Sequence, residues 1–214
     1  MNSTLFSNTN IQYLLASASP RRKQLLEQIG LPFTVVPSDK EEVVKETLPG
    51  SVVDTLSRQK SMDIAKQLAN HQLSDELCGK DSIIIGADTV VANGRQILGK
   101  PKNRDDAYHM LSTLSGHSHQ VYTGVTFCYV KNSEIPYHHT FHVKTNVFMK
   151  PANSKLINYY LDTDEPYDKA GAYGIQGLGA LLVDHIEGDY NNVVGLPISK
   201  LYDELTKFIS KHHI

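Results

Sequence analysis

YLLASASPRRKQLLEQIG, residues Tyr13 to Gly30, opens as an apolar run and closes as an amphipathic one. Tyr13 to Ala16 reads as a short buried strand. Ser19 suits an N-cap and Pro20 the first helical position, where a missing N–H costs nothing. Leu25, Leu26 and Ile29 give the helix an apolar face, Gly30 closes it, and Pro32 prevents its continuation. The handover from strand to helix carries Ser17, Ser19, Arg21 and Arg22. The first turn of a helix has unpaired N–H groups and the positive end of the dipole, so it favours an anion and disfavours adjacent arginines. Either the arginines point into water, or a bound phosphate reverses the penalty and is gripped through parallel N–H bonds.

Phe33 to Val36 reads as a second strand and Val52 to Ala69 as a longer helix. "DSIIIGADTVVANGRQILGKP" then reads as a strand, a two-residue turn at Asn93-Gly94 and a returning strand. Asn103 starts another helix, with Asp105 and Asp106 in its first turn. Val121 to Val130 and Phe141 to Met149 form a second hairpin with a longer connection. A helix over Ser154 to Leu161, a glycine-rich loop, a strand over Leu181 to Ile186 and a helix from Pro197 complete the chain. Strands and helices alternate and hairpins are present, so the expectation is an α/β fold on a mixed sheet without a domain-separating linker.

Two polar residues interrupt otherwise apolar elements. Lys60 falls four residues after Leu56 and four before Ile64, inside the stripe Val52, Val53, Leu56, Ile64, Leu68. It either snorkels to an edge or points into a polar cavity. Asp88 sits inside "SIIIGADTVV", on the face of Gly86 and Val90, where an unpaired acid is costly. With a turn at Asn93-Gly94, Asp88 lies opposite Gly99 and beside Lys100. The pair is then a structural salt bridge, or a carboxylate for metal or water next to a lysine for phosphate. Gly86 and Gly99 are expected to leave space around the acid. Asp39, Glu41 and Glu42 follow the second strand; with Asp88 they could hold magnesium, which takes one or two carboxylates plus substrate phosphates.

Composition bounds the remaining options. The 214 residues carry 21 basic and 23 acidic side chains, a net charge of -2, which gives no general attraction to nucleic acid or anionic membrane. Two cysteines, Cys78 and Cys128, do not suggest a disulfide framework. No secretory signal and no membrane-spanning run is visible, so a cytoplasmic location is expected. The phosphate-cradling lysine loop and the nucleophile elbow of serine hydrolases are missing, and "GIQGLGALL" lacks the flanking strand and helix of a dinucleotide fingerprint. His117 with His119, and His138 with His139 and His142, lack a cysteine or acid to complete a zinc set.

"LLASASPRR", "LSRQKS", "IIGADTVV", "LGKP", "DKAGAYGIQG" and "IEGDYNNVVGLP" together resemble the Maf family of nucleoside triphosphate pyrophosphatases, from about Ile11 to Leu205. The resemblance implies a Maf/ITPase-like α/β fold: an extended mixed sheet flanked by helices, two lobes and a central cleft. It implies one domain over 11-209, with tails at 1-10 and 210-214, and usually a homodimer. It further implies hydrolysis of a nucleoside triphosphate to monophosphate and pyrophosphate with Mg²⁺ or Mn²⁺. "GADT" and "AYGIQG" resemble the subgroup acting on dTTP and UTP. Asp88 matches the catalytic acid, written there as a proton acceptor; Arg21, Thr89 and Gln176 match positions linked to substrate choice. Ser17, Arg22, Lys60 and Lys100 match polar site positions, so that these and Arg21 are expected to clasp phosphate. Counting without gaps makes Glu42 the second metal carboxylate beside Asp88, with Glu41 the alternative. The rival reading is a nucleotide-binding regulator of septum formation that does no chemistry.

Overall fold

The computed structural model describes residues 11–214, so the expected tail at 1-10 lies outside the described residues. β1 (Gln12–Leu15) leads into α1 (Pro20–Gln28), and β2 (Thr34–Val35) returns parallel to β1. α2 (Pro49–Ala69) crosses to β3 (Ser82–Asn93), which runs parallel to β1 with Leu15 opposite Ile85. β4 (Gln96–Leu98) folds back along β3, and α3 (Arg104–Leu114) leads to β5 (Ser118–Lys131) and β6 (Glu134–Met149). α4 (Ser154–Leu161), three 3₁₀ turns, β7 (Val183–Glu187), α5 (Tyr190–Val194) and α6 (Ile198–His212) follow. The sheet is mixed and seven-stranded, in the order β2-β1-β3-β5-β6-β7, with β4 also on β3. The expected α/β class is therefore observed.

Ser19 holds the N-cap position of α1 with Pro20 first in the helix, as expected, although its side chain makes no cap hydrogen bond. Three other local expectations are corrected. The β3–β4 turn is Gly94-Arg95, because Asn93 pairs with Gln96. Gly94 supplies the positive φ of +61° at the first central position, where a type II′ hairpin wants glycine. β4 ends at Leu98, opposite Val91, so Asp88 does not face Gly99; its ladder partner is Gly124 of β5, on the other edge of β3. The second hairpin has no long connection: Asn132 and Ser133, at φ 50° and 63°, turn β5 directly into β6. The first half of β6 escaped the sequence reading because one of its faces is solvent-exposed and its residues are polar.

Burial divides the molecule into lobes. On one face of β3, Ile83, Ile85 and Ala87 pack with Leu25 and Leu26 of α1 and Leu201 and Leu205 of α6. Farther along the same face, Val91 packs with Leu111 of α3 and Ile157 and Leu161 of α4. Thr89 lies between these two cores and belongs to neither, so the gap between lobes opens over it. On the other face α2 spans both regions, with Ile64 and Leu68 against Ile84 and with Val53 and Leu56 near Val90. The edge of β3 is interrupted at the same place. β1 leaves it after the Ala16 N–H bonds the Ile85 carbonyl at 2.8 Å, and β4 joins it only at Val91. Residues 86–90 thus have a free strand edge, and side chains from both faces reach one cleft.

His119, on β5, is fully buried with Nε2 2.6 Å from the Tyr173 hydroxyl, and its Nδ1 has no partner among the described residues. Burial holds its pKa down at about 4, against an ordinary value of 6.5. The unfolded chain therefore binds the extra proton first as pH falls. Stability contributed by the neutral ring is complete above pH 6.5 and is lost between 6.5 and 4, by about 3 kcal/mol from this residue. Denaturant unfolding at pH 7 and pH 4 should show that loss, and His119→Gln should remove most of it; an equal pH dependence in both proteins would refute the assignment.

Candidate active site

The cleft has a volume of about 550 Å³ and is lined by five cationic and three acidic side chains. The cations are Arg21, Arg22, Lys60, Lys100 and Lys169; the acids are Glu42, Asp88 and Asp168. A chain of net charge -2 therefore gathers an excess of positive charge around this groove.

Arg22 is buried and each of its three guanidinium nitrogens makes one hydrogen bond, three of the five N–H donors. Nη1 donates to Ser17 Oγ at 3.0 Å, Nη2 to Thr89 Oγ1 at 3.1 Å, and Nε to the Gly195 carbonyl at 3.0 Å. Burial lowers its pKa, the neighbouring Asp88 opposes that, and a guanidinium remains charged at any ordinary pH. Thr89 is held in turn by Thr123, 2.9 Å between hydroxyls, and Thr123 donates to the Asn192 carbonyl at 2.9 Å. Ser17 sits behind Arg22 and does not line the cleft, while Ser19 does. The sequence reading gave Ser17 and Arg22 parallel duties; the structure makes one the bracket of the other.

Lys60 turns inward from the apolar face of α2. Its Nζ lies 2.5 Å from Asp88 Oδ1 and 2.9 Å from Glu42 Oε1. The ion pair of Asp88 is thus with Lys60 and not with Lys100, which lines the cleft from the exit of β4. Glu42 faces this ammonium; Glu41 and Asp39 are exposed and do not line the cleft. Helix and sheet meet closely here because of two glycines. A Cβ on Gly86 would lie 2.3 Å from the Ser57 carbonyl oxygen, and one on Gly124 would lie 2.3 Å from that of Val53. Gly86 therefore leaves room for the backbone of α2, not around the acid as expected; beside Gly99 the space is open.

Two carboxylates converging on one cationic point are hard oxygen donors of the kind a divalent ion uses alongside substrate phosphates. No cluster of three or more His, Cys, Asp or Glu residues that could hold a metal occurs among the described residues. Asp88 and Glu42 are the fitting pair.

The other wall comes from the 3₁₀ turns. Arg21 Nη1 donates to Asp168 Oδ2 at 3.1 Å, and Lys169 Nζ donates to Asp168 Oδ1 at 2.6 Å. Partial burial disfavours the Asp168 charge, but the bonds from Lys169 and Arg21 outweigh it and hold its pKa below the usual carboxylate range. The pair joins α1 of one lobe to the wall of the other. Gln176 lies at the tip of the next turn and faces the cleft. Sequence reasoning missed Asp168, Lys169 and the Gly195 carbonyl. An acid next to a lysine, ahead of the small residues in "DKAGAYGIQG", was the available signal.

A free-edged strand carrying an acid, beneath a groove dominated by cations, defines an α/β protein built to take a polyphosphate. The Maf-like protein family matches residues 12–208, and the chain belongs to the Maf family. A dTTP/UTP pyrophosphatase of Agathobacter rectalis is 50% identical over 198 residues, covering 92% of this chain and 97% of the relative. Proteins of the same description from Lachnoclostridium phytofermentans and Thermoanaerobacter sp. are 48% and 47% identical, each over 92% of this chain and 95% and 96% of their own lengths. A solved nucleoside-triphosphatase / dITP/XTP pyrophosphatase from Mycobacterium abscessus aligns over 95% of this chain and 97% of that one, at 9% identity and a TM-score of 0.39.

Proposed function

We propose that the protein hydrolyses dTTP and UTP to the nucleoside monophosphate and pyrophosphate. The observation that carries this reading is the Lys60–Asp88–Glu42 cluster, set at a strand edge within a cleft that also presents Arg21, Arg22 and Lys100. A protein that only binds a triphosphate has less need of a largely buried acid beside the anion than a hydrolase that must handle water.

Asp88 orients the attacking water and accepts its proton as the water approaches the α-phosphorus in line with the leaving pyrophosphate. Arg22, locked by three hydrogen bonds, offers a preorganised charge, which spares reorganisation as negative charge shifts onto the leaving group. Ser17 acts through Arg22. Arg21 and Lys100 sit at the cleft rim and complete the grip on phosphate oxygens, and Lys60 offsets the charge of the two acids. Asp88 and Glu42 would hold Mg²⁺ or Mn²⁺, which when bound supplies charge neutralisation on the phosphate oxygens. Thr89, beside Arg22, and Arg21 contribute to substrate choice, and Gln176 reads the base edge, since an amide both donates and accepts.

No helix among the described residues is long and apolar enough to cross a membrane, and both cysteines are free thiols. A cytoplasmic homodimer is the assembly this reading carries, and sedimentation of the purified chain tests the dimer. The activity is tested by ³¹P NMR of products from dTTP, UTP, CTP and GTP with Mg²⁺. Monophosphate and pyrophosphate, formed fastest from dTTP or UTP, are the expected result. Diphosphate with phosphate would overturn the chemistry, and binding without product would favour the regulator.

A further inference from the structure

We infer that Glu165 is a positioning residue for base discrimination, acting through the loop that carries Gln176. The inference rests on the proposed pyrimidine nucleotide reading.

Glu165 lies outside the cleft lining, in the 3₁₀ turn Glu165–Asp168. Its carboxylate is spent entirely on the backbone of the base-reading loop. Oε1 accepts the Leu178 N–H at 3.1 Å and Oε2 the Gly179 N–H at 3.3 Å. These are the first donors of the turn Gly177–Leu182, which otherwise lack partners of their own turn. Gly177, directly after Gln176, has φ +63°, and a Cβ there would lie 2.5 Å from Glu165 Oε1. The carboxylate and the bare glycine are therefore pressed together immediately behind Gln176.

The other leg of the loop is fixed as firmly. The Gly174 N–H donates to the Tyr160 hydroxyl at 3.2 Å, and a Cβ on Gly179 would lie 2.1 Å from the Gly174 carbonyl. The loop's ends are thus in backbone contact, with Gln176 at the exposed tip. Glu165 also reaches the opposite wall: its carbonyl accepts from Lys169 Nζ at 2.6 Å, and that ammonium holds Asp168, which holds Arg21. One short turn therefore registers Gln176 and Arg21 against each other across the cleft.

An amide presents donor and acceptor alike, so the chemistry of glutamine does not by itself select one base edge over another. Selection depends on where the amide is held, and a slack loop would let it satisfy several bases. Loss of the clamp should then erode preference between bases while leaving in place Arg22 and Lys60, whose partners do not include Glu165.

The test uses the whole protein and steady-state kinetics on dTTP, dCTP and dGTP with Mg²⁺, for wild type, Glu165→Gln, Gln176→Ala and the double variant. Glu165→Gln keeps the shape but turns one acceptor into a donor facing an N–H. The dTTP-over-dCTP ratio of kcat/KM is expected to fall about tenfold, mostly through KM, with kcat within about threefold. In the Gln176→Ala background the same change should leave the ratio where Gln176→Ala alone puts it. Gly177→Ala, which displaces the carboxylate from the other side, should reproduce the loss with Glu165 intact. An equal fall on all three nucleotides, or a ratio change that persists without Gln176, would overturn the proposal in favour of simple structural damage. If wild type hydrolyses none of them, the activity reading has failed separately. The ratio of dTTP to dCTP dissociation constants then decides: a shift in Glu165→Gln supports the clamp and an unchanged ratio refutes it.

Discussion

Asp88→Asn should reduce turnover of dTTP by about 10³-fold or more while nucleotide still binds. The substitution keeps the shape of the side chain and its place opposite Gly124 on the strand. It removes the group that can accept a proton from water, and general bases of this kind commonly contribute on the order of 10²–10⁴ in rate. It also removes one of the two acids facing Lys60, whose Nζ then retains Glu42 at 2.9 Å. The triphosphate grip is spared, because Arg22 takes its support from Ser17, Thr89 and Gly195, not from Asp88. Without Mg²⁺, taking an anion out of a cleft that receives an anion should leave affinity equal or higher. Single-turnover kinetics and equilibrium titration with dTTP, with and without Mg²⁺, separate the two effects. Turnover near the wild-type rate would remove Asp88 from the mechanism; loss of metal-free binding together with turnover would make it a structural acid.

The sequence made local chemistry readable and left register obscure. Adjacent arginines in a first helical turn, a lysine in an apolar stripe and an aspartate inside an apolar strand are each locally wrong, and all three face the cleft. Each anomaly had a bland alternative, and the meeting of Lys60 with Asp88 across 28 positions shows that Lys60 points into the cleft rather than to an edge. The hairpin turn was misplaced by one residue, since Asn-Gly favours a turn centred on both residues while Gly94 alone supplies the needed φ. The expected pairing of Asp88 with Gly99 failed because β4 stops at Leu98, opposite Val91, and leaves that edge of the strand bare. β6 was truncated because a strand with one wet face near the sheet edge need not alternate cleanly. Glu165 and Asp168 were passed over because their partners are backbone N–H groups and an arginine 147 positions away, and neither contact leaves a periodic mark. The five-residue helix α5 was missed as well; it brings the Gly195 carbonyl to Arg22.

Gly86→Ala should destabilise the fold by about 3 kcal/mol and cost catalysis at a distance. The added Cβ would meet the Ser57 carbonyl oxygen at 2.3 Å and the Ser61 nitrogen at 2.7 Å. These are backbone atoms inside a helix, so no side-chain rotation relieves the clash and α2 must move as a body. That movement loosens the packing of Leu56 and Ile64, which flank the contact. It also carries Lys60 away from Asp88 and Glu42, since the three meet only because helix and strand are that close. For a domain of this size the melting temperature should fall by roughly 6–12 °C. In the folded fraction, kcat/KM should drop about 10²-fold, the typical loss when a site is misplaced by about 1 Å. Gly99→Ala is the matched control for stability: nothing lies within 4 Å of its added Cβ, so its melting temperature should stay close to that of wild type. Thermal melts and dTTP kinetics on the two variants decide the matter. A Gly86→Ala protein that melts with wild type would mean that α2 tolerates the shift, and that the proximity of Lys60 to Asp88 is not set by the bare strand beneath it.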